Sequence, residues 1–142
     1  MLDGPLVFLD LETTGATAHY DRITEIGIVE VDENGVREWS CLVNPGTTIS
    51  GFIERLTGIS NAMVADAPPF EDVADEVRER HEGRLFIAHN ARFDWGFVSA
   101  EMRRARAYML SEFSAKSWEE VRPHYLTGDD LDRHFRMATS FW

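Results

Sequence analysis

Two carboxylates, Asp10 and Glu12, stand one residue apart in the stretch VFLDLETTG, Val7 to Gly15. Side chains at i and i+2 of a strand share a face, so on the strand that VFLDL predicts they stand side by side and repel. A divalent ion such as Mg²⁺ or Mn²⁺ between them removes the repulsion, because hard cations take carboxylate oxygens as ligands. The plainer alternative is a strand that ends in solvent at Asp10, with Glu12 in a polar loop. A second acidic landmark, Asp94, closes AHNARFD, Ala88 to Asp94. It falls near a helix start, where capping alone favours a negative side chain. By themselves, Asn90 reads as a turn residue and His89 as structural.

Periodicity supplies the elements that must hold these residues. Leu6 to Leu9 is a continuous apolar run, the kind found in a sheet covered on both faces. The β-branched run Ile23–Val31, the turn signal DENG and Val36–Val43 predict a hairpin, and so a three-strand meander. Ser50 is placed to cap a short helix over Gly51–Leu56. Pro68 and Pro69 open a helix whose inward face is Phe70, Val73, Ala74 and Val77, ending near Gly83. A fourth strand, Arg84 to Ala88, and a helix over Phe93–Arg106 with Phe97, Val98 and Met102 inward follow. The order βββαβα implies a mixed sheet with helices packed on it.

At 142 residues and 44% hydrophobic content the chain fits one folded domain and not a disordered segment. No apolar run approaches a membrane span, and MLDGP lacks a basic region followed by an apolar one. A soluble protein without a targeting peptide is expected. The single Cys41 excludes an internal disulfide and suits a reducing cytoplasm. A net charge of −11 sits badly with a polyanionic partner. The imbalance is concentrated early, however: residues 71–142 carry 11 of the 14 Lys and Arg, and Arg92, Arg103, Arg104 and Arg106 lie close in sequence. Taken singly, each reads as a solvated helix-face charge.

Together, FLDLETTG and AHNARFD resemble the first and second motifs of the DnaQ-like, DEDD-type 3′-to-5′ exonucleases, which include proofreading subunits of bacterial replicative polymerases. LTGIS, Leu56 to Ser60, and the helix start APPFEDV are similar to that family too, and the resemblance runs from about Leu6 to Arg104. It implies an α/β, RNase H-like fold: a mixed sheet of a three-strand meander plus parallel strands, flanked by helices. It makes residues 1–106 the exonuclease core and 107–142 an atypical C-terminal segment. It also implies that Asp10, Glu12 and Asp94 are the first three of the family's four acidic residues. Thr13 matches a position beside the terminal nucleotide, and Asn90 and Phe93 match positions near the site. Apolar groups such as Leu11 and Phe93 would stack on or wedge beside the last bases.

The family's third motif places a His five residues, or a Tyr four residues, before a final Asp. PHYLTGDD offers His124 and Tyr125 before Asp129, but only 34 residues separate Asp94 from Asp129, and Thr127 and Gly128 are poor helix formers. His134 has Thr139 where an Asp would be required. Two outcomes follow: a truncated, incomplete site, or a shortened working one that uses Asp129. If complete, the site implies two Mg²⁺ or Mn²⁺ ions, with Asp10 shared, Glu12 and Asp129 on one ion, Asp94 on the other and His124 as base.

The implied substrates are single-stranded or frayed 3′ ends of DNA or RNA; a DNA polymerase subunit is an implied partner, and a membrane is not. A catalytically incomplete relative, holding an end or a polymerase without cutting, is the main rival. A weaker one is a phosphatase read from D-x-x-x-T at Asp10–Thr14, which wants Asp where Glu12 stands.

Overall fold

The structure, a computed structural model, describes residues 4–112. Its sheet has four strands: β1 Leu6–Thr13, β2 Ile23–Asp32, β3 Gly35–Leu42 and β4 Leu85–Ile87. They lie in the order β3-β2-β1-β4, with β1, β2 and β3 antiparallel neighbours and β4 parallel to β1. The helices are α1 Gly51–Thr57, α2 Asn61–Val64, α3 Phe70–His81 and α4 Ala91–Glu112. The expected meander and flanking helices are present, and of the expected parallel strands the described residues contain one, β4.

Burial alternates along β1. Val7, Leu9, Leu11 and Thr13 are buried, whereas Phe8, at 39% exposure, and Asp10 are open. The apolar run had predicted cover on both faces. Among the described residues, α3 and α4 pack together against the Val7–Leu9–Leu11 side and leave Phe8 and Asp10 open on the other. That core joins Ile26 and Ile28 of β2 to Phe70, Val73 and Val77 of α3 and Phe97, Val98 and Met102 of α4. Each such side chain contributes roughly 1.5–3 kcal/mol on burial.

Local signals end most elements where expected. Asp32 accepts the Asn34 amide at 2.9 Å and Gly35 takes φ 114°, which closes the DENG hairpin. Ser50 caps α1 by accepting the Ile53 amide at 3.2 Å. The sequence reading passed over α2, although Ser60 caps it in the same way by accepting the Met63 amide at 3.2 Å. Ile49, Ile59 and Val64 form a second small cluster with Leu42. Register puts Leu42 in the row Glu12, Glu25, Leu42, so this α1–α2 unit packs at the Glu12 end of the sheet.

Candidate active site

Asp10 and Glu12 lie inside β1, opposite Gly27 and Glu25 of β2, so neither the solvent end nor the polar loop of the plainer reading applies. The pleat sends both to the open face of the sheet. Gly27 adds no side chain next to Asp10, and a groove of about 520 Å³ runs from Phe8 and Asp10 past Val29 to Glu38 and Ser40. Beyond Glu12 the chain turns through a tightly bonded loop. Thr13 donates its hydroxyl to the Gly15 carbonyl at 2.6 Å, and Thr14 exchanges backbone and side-chain bonds with Arg22 at 2.8 and 2.9 Å. Asp21 folds beneath Gly15, where any Cβ would collide with its carboxylate.

The second stretch arrives on β4, which runs beside β1, and turns at once into α4. The Asn90 carbonyl accepts the Phe93 and Asp94 amides at 2.9 and 3.1 Å, which starts the helix two residues before the expected Phe93. Asp94 thus sits in the first turn, only 5% exposed. Burial and then the Asp10 charge push its carboxyl up to about 6, against smaller downward pulls from its own backbone amide and from His89. Burial, followed by the Asp10 and Glu25 charges, raises Glu12 as well. Asp10 therefore has an acidic neighbour on each side, and none of the three is ion-paired to an arginine among the described residues.

Hard oxygen donors that repel each other and have no arginine to balance them fit Mg²⁺ or Mn²⁺. They are not drawn into a finished cage: among the described residues no three His, Cys, Asp or Glu side chains are close enough together to hold an ion.

The other expected residues scatter. Asn90 and His89 are exposed, and Thr13 is buried beneath its loop. Phe93 is half-buried, with its ring 4.8 Å from Phe97. Leu11 corrects an expectation: the two-residue period turns it into the core, away from Asp10 and Glu12, so packing occupies the side chain meant to wedge against bases. His124, Tyr125 and Asp129 lie outside the described residues. Glu25 was missed, though its place in ITEIGIVEV, out of phase with Ile26 and Ile28, already put it on the face opposite the core.

A mixed sheet of this order, three strands antiparallel and one parallel with helices flanking it, is the RNase H-like architecture that solved exonuclease structures share. The chain matches the RNase_T exonuclease model over residues 7–129, and it belongs to that DnaQ-like family. It is 45% identical over 101 residues to the 3′-5′ exonuclease DinG of Bacillus subtilis, covering 70% of this chain and 11% of that protein. It is 39% identical over 104 residues to the PolC-type DNA polymerase III of Caldanaerobacter subterraneus, covering 72% and 7%. The chain thus spans about a tenth or less of these curated relatives. Among solved structures, exonuclease X in complex with 5′ overhanging duplex DNA aligns with a TM-score of 0.55 and 34% identity, over 66% of this chain and 53% of that one. No described helix is long and apolar enough to cross a membrane.

Proposed function

We propose that this domain hydrolyses phosphodiester bonds one nucleotide at a time from the 3′ end of DNA, or RNA, with divalent metal, releasing nucleoside monophosphates. The observation that carries this is the set Asp10, Glu12 and Asp94: the Asp10 charge acts on each of the other two, and no arginine pairs with any of them among the described residues. Asp10 would be shared by two Mg²⁺ or Mn²⁺ ions, with Glu12 and Asp129 completing one shell and Asp94 the other. When bound, such ions supply an activated water and stabilise the leaving oxygen. The chain's own part would be to fix the carboxylates, to keep the loop that Thr13 anchors and Asn90 beside the terminal nucleotide, and to use His124 as proton acceptor. Phe93 remains the apolar group able to meet a base.

The relative DinG bears the 3′-5′ direction in its name, and exonuclease X was solved with 5′ overhanging duplex DNA, so DNA is the first substrate to test. The PolC-type relatives suggest a polymerase as partner. A cytoplasmic setting accords with the free Cys41. One observation favours a second reading, an end-binding domain that does not cut: no three described ligands stand close enough to grip an ion. A 3′-labelled single strand distinguishes the two. The first expects labelled monophosphate in Mg²⁺ and none in EDTA; the second expects the strand bound and intact in both.

A further inference from the structure

Glu101 is 1% exposed, a second buried carboxylate on α4 beside the apolar packing of Phe97, Val98 and Met102. A buried charge of this kind is costly unless paired. Two arginines pair it. Arg22 grips it with both Nε and Nη2, the latter donating to Oε2 at 3.1 Å, and Arg104 donates to Oε1 at 2.6 Å. Arg104 also donates to the Ala18 and His19 carbonyls at 2.6 and 3.1 Å, so it holds the loop between β1 and β2 against α4.

The placement of these groups matters more than their number. Seven residues are almost two helical turns, so Glu101 lies on the same stripe of α4 as Asp94, about 10 Å further along. Its partner Arg22 is bonded through its backbone to Thr14, which is two residues beyond Glu12 on the same chain. One short path therefore runs from the helix that holds Asp94, through Glu101, Arg22 and Thr14, to the strand end that holds Glu12. A two-pronged guanidinium–carboxylate contact fixes orientation as well as distance.

We infer that Glu101, gripped by Arg22, is a positioning residue for the carboxylate site: it sets how α4 and the end of β1 stand to each other, and thereby how Asp94 meets Asp10 and Glu12. This rests on the proposed metal-dependent reading of that site. Outer groups that orient metal ligands typically change metal affinity or activity by about 10–100-fold. A merely structural ion pair would alter stability and leave metal affinity alone. The molecule contains such a pair for comparison: Glu30, also buried, is bonded to Arg80 at 2.7 Å at the opposite end of the sheet.

The test uses the full 142-residue chain and direct Mn²⁺ binding followed by electron paramagnetic resonance, with thermal unfolding measured beside it. Glu101→Gln and Arg22→Lys are expected to weaken Mn²⁺ binding by about tenfold or more while the fold is retained. Glu30→Gln is expected to lower the melting temperature and leave Mn²⁺ binding unchanged. Arg22→Lys keeps the charge and loses the fork, so it decides the matter should Glu101→Gln fail to fold. Mn²⁺ binding equal to wild type in a folded Arg22→Lys variant overturns the inference. Wild type that binds no Mn²⁺ overturns both this inference and the proposed function. Wild type that binds Mn²⁺ and cuts nothing overturns only the nuclease reading.

Discussion

The two ends of the β1–β2 pair carry the same kind of side chain in opposite states. At the far end Glu30 meets Arg80 at 2.7 Å and Arg84 at 3.6 Å, and Asp32 meets Arg37 at 2.7 Å and Arg84 at 2.8 Å. Hydrogen bonds from Arg37 and then Arg84 hold the Asp32 carboxyl well below the usual carboxylate range. At the near end no arginine reaches Asp10, Glu12 or Asp94 among the described residues, and burial with like charge drives the latter two upward. The fold can therefore neutralise acidic residues where it needs to. Keeping Glu12 and Asp94 beside Asp10 with no arginine costs stability, and local conflicts of this kind concentrate where a protein functions.

The contrast breaks most visibly at Asp10. Asp10→Asn should reduce Mg²⁺-dependent release of monophosphate by on the order of 10³-fold, since metal-borne charge stabilisation is worth several kcal/mol. The same change should not lower the melting temperature of the metal-free protein, because it removes repulsion and no ion pair. At the far end the signs reverse. Glu30→Ala strands arginines that are partly buried and should destabilise the fold by roughly 2–3 kcal/mol in urea unfolding. Activity per folded molecule should stay at the wild-type level.

Asp94 sharpens the comparison through pH. Its folded pKa of about 6 lies above the value near 3.8 that it takes when unfolded. Between those limits the folded state holds a proton that the unfolded state releases, so metal-free stability falls as pH rises from 4 to 6 and stays low above. Asp94→Asn should therefore stabilise the protein in EDTA at pH 8, by on the order of 2 kcal/mol, and do nothing at pH 4. Unfolding curves at the two pH values check this. Equal effects at both would place the Asp94 shift in doubt.

What the sequence made legible was local. The β-branched run, the DENG turn, the Ser50 cap and the Pro68–Pro69 helix start each depend on neighbours within a few residues, and each appears in the fold. Facing relations did not follow from local pattern. An apolar run at Leu6–Leu9 says that a strand is buried somewhere but not on how many sides, and Leu11 looked available until the register assigned it to the core. Glu101 gave no signal of its own in the sequence, because its burial depends on Arg22, 79 residues away. Asp10, Glu12 and Asp94 stood out by type and order, whereas the Arg22–Glu101 pair and Glu25, the acidic neighbour of Glu12, required the fold.

Paramagnetic broadening of backbone amide signals by sub-stoichiometric Mn²⁺ tests the contrast between the two ends most directly. The expected result is loss of signal around Asp10, Glu12 and Asp94, with the amides of Glu30 and Asp32 still sharp. Broadening centred on Glu30 and Asp32, or none at Asp10 and Asp94 with Mn²⁺ in excess, would contradict the assignment of the unpaired carboxylates as the metal site.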